Sequence, residues 1–191
     1  MSNRKAVDNG NQQQAQSNTQ TWVTWVALTT AAVAVLTAFT TLFMGKYSSR
    51  TMLYQAQESD QWAFYQAKSI KSHTYELEKQ QLELTLASLK GRISKDLDAK
   101  YRKVINEYAG NIARYDSEKK EIKEKAEGHA RDRQTSQLKS GQFSYGLIFM
   151  QIALMLSSIA VITKKKPLWY FGIAVAALGC VFFINGMYLL F

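Results

Sequence analysis

The feature that most constrains this chain is where its charges are missing. No Asp, Glu, Lys or Arg lies between Asp8 and Lys46, and after Lys139 the only charged residues are Lys164, Lys165 and Lys166. From Lys46 to Lys139 there are 19 basic and 14 acidic side chains. A single water-soluble core distributes apolar residues at helical or strand period along the whole chain. Here they collect in three uncharged runs at 22–44, 143–163 and 168–191. At 1.5 Å per residue each run makes a helix of about 31–36 Å, enough to cross a hydrocarbon core of about 30 Å. Backbone amides in lipid must be bonded within the segment, so the expectation is three transmembrane helices.

The flanks agree with that expectation. Trp22 and Trp25 open the first run and Tyr47 follows it; Tyr145, Trp169, Tyr170 and Tyr188 lie near the edges of the other two. Amphipathic rings favour the membrane–water interface. Pro167 ends the basic turn 164–167, where a new helix starts without needing that amide. The first run is longer than a signal-peptide core and ends in Phe-Met-Gly-Lys without a small-residue cleavage site, so it reads as an uncleaved anchor. The Gln-, Asn- and Ser-rich residues 1–20 read as a disordered polar tail.

Small residues mark two candidate packing faces, Ala27, Thr30, Ala34, Thr37, Ala38 and Thr41 on the first run and Gly172, Ala176 and Gly179 on the third. Packing within one subunit is favoured over a dimer motif for both. Gln151 and Asn185 are the most polar groups at depth, and no run carries an ionisable side chain, which argues against a proton- or ion-coupled transporter.

Residues 46–142 read as helix almost throughout. Ala63, Ala67, Ile70, Thr74, Leu77, Gln81 and Leu84 recur at spacings of three and four, as do Tyr101, Ile105, Tyr108, Ile112, Tyr115, Ile122 and Ala126. Asp96–Lys100, Asp98–Arg102, Asp116–Lys120, Glu121–Lys125 and Glu127–Arg131 are acid-before-base pairs four apart that support a solvated helix. A single rod would run about 145 Å from the membrane, yet the chain must return at Phe143. The segment therefore doubles back near residue 93, where Gly91 can end a helix and Ser94 can cap the next. The expected fold is all-α: three transmembrane helices with a long, coiled-coil-like antiparallel hairpin, legs about 49–89 and 94–139, between the first and second. A second apolar line on the first leg, Leu53, Phe64, Tyr75, Leu82, Leu86 and Leu89, implies either contact with another subunit or a wide seam within the hairpin.

The short Lys164–Lys166 loop is the topology signal. Clustered lysines in short loops stay cytoplasmic, which puts the N-terminus inside and the hairpin and C-terminus outside; Lys46, Arg50 and Lys139 pull the other way.

Several blocks carry a likeness to a known family. They are Trp25-Val-Ala-Leu-Thr-Thr, Lys46-Tyr-Ser-Ser-Arg, Ser59-Asp-Gln-Trp-Ala-Phe-Tyr-Gln-Ala-Lys-Ser-Ile-Lys71, Ile112-Ala-Arg-Tyr-Asp-Ser-Glu-Lys-Lys-Glu-Ile-Lys123 and the basic loop before Leu168-Trp-Tyr. In these the chain resembles the bacterial domain of unknown function 4337 family over almost all of residues 22–191. The resemblance implies an uncharacterised multi-pass protein of the bacterial inner membrane, without catalytic residues to carry over. Within the Ser59–Lys71 block, Trp62, Phe64, Tyr65, Lys68 and Lys71 form a candidate interaction patch, set against core packing or subunit contact as the plainer reading.

No phosphate-binding loop, His-Glu-x-x-His, Cys–His cluster or Gly-x-Ser-x-Gly elbow occurs, and His73, His129 and Cys180 are too few for a metal site. The expectation is a non-enzyme without cofactor or evident small-molecule substrate, its partners being the bilayer, further copies of itself or a protein docked on the hairpin. A membrane-anchored scaffold leads; the alternative is a pore or transport accessory subunit with Gln151, Asn185 and the threonines lining a path. The hairpin's net charge of 19 − 14 = +5 alternates in sign, so nucleic acid is not an expected partner.

Overall fold

The computed structural model describes the backbone of residues 2–189 and the side chains of residues 21–189. The polar tail expected at 1–20 lies outside the described side chains. Among the described residues the chain is helical throughout, as α1 (Ser2–Ser88), α2 (Lys95–Thr163) and α3 (Lys166–Tyr188). Each holds a segment long and apolar enough to cross a membrane. With one proline in the chain, at 167, nothing interrupts the two long helices.

Local chemistry sets both turns. Between α1 and α2, Gly91 adopts φ +78°, a left-handed conformation that costs a side-chain-free residue little. Ser94 then caps α2: its Oγ accepts from the Leu97 amide (3.3 Å) and its carbonyl from the Asp98 amide (3.1 Å). Asp96 and Asp98 in the first turn suit the positive end of the helix dipole. Between α2 and α3 the reversal runs through Lys164 (φ 54°) and an extended Lys165, and Pro167 stands in the first turn of α3.

The chain forms two compact units, Met1–Arg50 with Thr135–Phe191, and Thr51–Gln134. In the first, α1 and α3 run parallel and α2 antiparallel to both. One end is held by rings: Phe143, fully buried, stacks on Phe43 (5.5 Å) and Tyr47 (5.8 Å) and meets Phe183 edge-on (5.5 Å). Midway, the buried Thr40 hydroxyl donates to the Leu36 carbonyl (2.7 Å) and touches Met150 Sδ (3.5 Å). At the other end Trp169 Nε1 donates to Thr29 Oγ1 (3.2 Å).

The α2–α3 contact depends on small residues: Gly172 lies against Ala153 and Ser157, and Gly179 against Gly146 and Met150. At Gly179 a Cβ would lie 2.9 Å from Met150 Cγ, 3.1 Å from the Gly146 carbonyl and 3.3 Å from the Met150 amide. Backbone on one side and a buried methionine on the other cannot yield. Gly179→Ala is therefore expected to destabilise by about 1–3 kcal/mol. Gly110→Ala, where a Cβ meets nothing within 4 Å, should stabilise by about 0.5–1 kcal/mol. Thermal unfolding followed by circular dichroism in detergent distinguishes the two signs.

Candidate functional site

The second unit is an antiparallel pair of helical legs, and its two faces differ in chemistry. On the second leg Tyr101, Ile105, Tyr108, Ile112, Tyr115, Ile122 and Ala126 all turn inward, with Tyr115 and Ala126 buried. They meet a line on the first leg that also keeps a three-four spacing but is half polar: Tyr54, Glu58, Gln61, Tyr65, Lys68, Ser72, Tyr75, Lys79, Leu82, Leu86 and Leu89.

Paired layers hold that seam. Arg133 Nε donates to Glu58 Oε2 at 2.8 Å, both side chains at least two-thirds buried, and His129 stacks near Tyr54 (6.4 Å). Lys68 pairs with Glu118 and lies 5.1 Å from the Tyr115 ring centre. Tyr75 stands between Tyr108 (5.2 Å) and Tyr115 (5.9 Å). Leu82, Leu86 and Leu89 close the seam toward the turn. Glu58 and Lys68 are tolerated inside because each finds a charged partner on the opposite leg, whereas Lys79 pairs with Glu83 on its own leg.

This reverses the assignment expected for the first leg. Tyr75, Leu82, Leu86 and Leu89 are half-buried between the legs and do not form an extra stripe. The line Ala63, Ala67, Ile70, Thr74, Leu77, Gln81 and Leu84 faces outward. Ile70, Leu77 and Leu84 are 66%, 67% and 73% exposed, and Phe64 beside them 59%. The second leg's apolar line is already used, so the outward line has no cover among the described residues.

The Ser59–Lys71 patch is divided by the same geometry. Trp62 and Tyr65, in edge-on contact at 5.6 Å, are half-buried, as is Lys68 with Glu118. Phe64 and Lys71 point outward. The five side chains do not make one surface. Among the small residues of α1, Ala27, Ala34, Ala38 and Thr41 are exposed. Thr30 and Thr37 are half-buried and bond to their own helix, at the Val26 (2.7 Å) and Val33 (2.8 Å) carbonyls. The packing face of this segment instead uses Trp22, Val26, Thr40 and Phe43, with Thr40 against the Met150 thioether and Phe43 against the Phe143 and Phe183 rings. Gly172, Ala176 and Gly179 are buried. Gln151 is exposed while Asn185 is fully buried, so a single copy brings no polar path together from them. Lys164, Lys165 and Lys166 are exposed in their turn.

On the outer faces, ion pairs within one helix dominate: Lys100–Asp96 (2.9 Å), Arg102–Asp98 (2.8 Å) and Lys125–Glu121 (2.6 Å). Asp116 pairs with Lys119 (2.7 Å), three residues on, in place of Lys120, and Glu127 with Lys123 (3.8 Å). The bond from Lys119 holds the Asp116 carboxyl below the usual carboxylate range, and Lys125 does the same for Glu121. Partial burial between the legs, with Glu78 adjacent, pushes the Tyr108 hydroxyl above the usual tyrosine range. Lowered carboxylate values mean that the stabilisation is complete above the ordinary carboxylate range and is lost as pH falls through the folded-state values. Melting temperature should therefore drop on acidification below about pH 4, and drop less in an Asp116→Asn, Glu121→Gln variant. Among the described residues no group of three or more His, Cys, Asp or Glu is placed to hold a metal ion.

The model of the family described as domain of unknown function (DUF4337) matches residues 22–189. No curated protein and no solved structure matches the chain.

Proposed function

We propose that this chain, which belongs to that family, is a non-enzymatic membrane-anchored scaffold whose hairpin pairs with a second copy through the outward line of α1. Membrane insertion is supported by the uncharged runs and by what they turn outward: Leu28, Val35, Phe39, Ile148, Met155, Phe171 and Leu178 are exposed in a single copy. Acyl chains cover such surface without cost, whereas water does not. In a bacterial inner membrane, the Lys164–Lys166 turn favours a cytoplasmic loop and N-terminus, with the hairpin and C-terminus outside.

The single observation that carries self-association is the outward line. It repeats at 63, 67, 70, 74, 77, 81 and 84, three heptads of coiled-coil spacing without a break, on a helix whose inward seam is already occupied. Two copies inserted the same way begin their first legs at the same surface, so those legs run parallel and each seam residue meets its counterpart. The flanking positions then place Gln66 beside Lys71 and His73 beside Glu78 of the other copy, with no like-charged pair. A strip about 32 Å long and about 10 Å wide is smaller than the roughly 800 Å2 per partner of a free-standing interface. Confinement to one bilayer supplies the effective concentration that the area lacks.

On a Cys180→Ser background, Ile70→Cys or Leu77→Cys is expected to give a disulfide-linked dimer in native membranes. Lys103→Cys, on the outer face of the second leg, is expected to stay monomeric. Monomer at all three positions overturns the proposal, and an adduct of another mass assigns the strip to a different protein.

A further inference from the structure

Where α1 leaves its apolar segment, three cations gather around one ring. Lys139 Nζ lies 5.3 Å from the centre of Tyr47, the Arg50 guanidinium carbon 5.8 Å and Lys46 Nζ 6.0 Å. Lys139 comes from α2, so the cluster exists only in the folded unit. It also donates to the Met187 carbonyl near the end of α3 (3.3 Å), which fixes its head while leaving further N–H donors free.

Among the described residues no anion balances these charges. Residues 21–50 and 135–189 contain no Asp or Glu, and among the described residues no carboxylate lies within ion-pair distance of Lys46, Arg50 or Lys139, whereas Lys68, Lys100, Arg102, Lys125 and Arg133 are each paired with one. Lys46 and Arg50, one helical turn apart on α1, lie on one side of that helix. The position is also particular: Met44 ends the uncharged run two residues before Lys46, and Phe143 opens the next one four residues after Lys139. On the membrane placement proposed above, this is headgroup level.

We infer that Lys46, Arg50 and Lys139, arranged around Tyr47, bind the phosphate of an anionic phospholipid. Arg50 offers the planar fork that takes two phosphate oxygens, and the lysines supply point charges beside it. Tyr47 stacks on the buried Phe143 as well as lying near the three cations, which holds the donors in place before the lipid arrives. The inference rests on the membrane reading but not on the dimer seam.

The test is native mass spectrometry of the full chain, purified in mild detergent and supplied with phosphatidylglycerol or phosphatidylcholine. The wild type is expected to retain phosphatidylglycerol over phosphatidylcholine by about tenfold or more. Lys46→Gln, Arg50→Gln, Lys139→Gln should lose that preference, and Lys46→Arg, Lys139→Arg should keep it. Lys164→Gln, Lys165→Gln, Lys166→Gln, which removes equal charge from the exposed turn, should also keep it. Millimolar inorganic phosphate should not displace the lipid; displacement identifies a simple anion site and overturns the assignment. Equal retention of both lipids by the wild type, or equal loss in the turn variant, overturns it as well. Carbonate-resistant membrane association and the Ile70→Cys dimer, measured on the Gln variant, report separately on the reading of the protein as a membrane scaffold.

Discussion

Replacing Ile70, Leu77 and Leu84 together by glutamate is expected to reduce association between copies at least about hundredfold while leaving the hairpin folded. The three side chains are about two-thirds exposed in a single copy, so the substitution removes no contact on which the monomer depends. Covering a large aliphatic side chain contributes about 1.5–3 kcal/mol when burial is complete, and these residues recur in both copies. The parallel arrangement also brings each new carboxylate against its counterpart, and like charges facing one another weaken association further. Every 1.4 kcal/mol is a factor of ten, so a hundredfold loss is a conservative reading of those terms. Energy transfer between labelled copies in liposomes measures the association, and circular dichroism verifies the helices. Unchanged transfer would show that the line faces only water.

The second large effect is expected at Phe143. It is fully buried among Phe43, Tyr47 and Phe183, and Gly186 lies beneath its ring, where a Cβ would sit 3.1 Å from it. In water, truncating such a ring costs about 3–5 kcal/mol. In lipid the transfer part of that cost largely vanishes, since acyl chains are as apolar as the core, but the cavity and lost dispersion contacts remain. Phe143→Ala should therefore destabilise by about 3 kcal/mol, at the low end of the range. Phe143→Leu, which refills much of the space, should cost about 1 kcal/mol. Thermal melting in detergent is the measurement, and equal effects of the two variants would mean that packing at this point is loose.

What the sequence disclosed, and what it hid, follows from how local each signal is. The three apolar runs are local and need no partner to be recognised. Gly91 and Ser94 act on their own backbones, so a turn was legible between two helices. The second-leg seam was legible because Tyr101, Ile105, Tyr108, Ile112 and Tyr115 stand alone among charged neighbours. The first leg misled because its more aliphatic line is the outer one. The inward line carries Glu58, Lys68 and Lys79, residues that look like solvent positions until Arg133 and Glu118 are known to oppose the first two. Pairing across the hairpin is not written in either leg alone. The same limit applied to α1 near its apolar end. Small size suggested Ala27, Ala34 and Thr41 as the packing face, but Trp22, Val26 and Phe43 pack because the groove they enter is formed by other segments. For Gly172, Ala176 and Gly179 size was the relevant property, since α2 and α3 approach closely enough to exclude side chains.

The polar layers inside the hairpin also limit how its length can change. Glu58 has one guanidinium opposite it, and shifting one leg along the other by seven residues would offer it Ala126 in place of Arg133. A deletion confined to one leg therefore strands ions among rings. Removing seven residues from each leg at matched heights near the turn keeps every remaining layer in phase. Related chains are then free to carry longer or shorter stalks, provided that the two sides grow and shrink together.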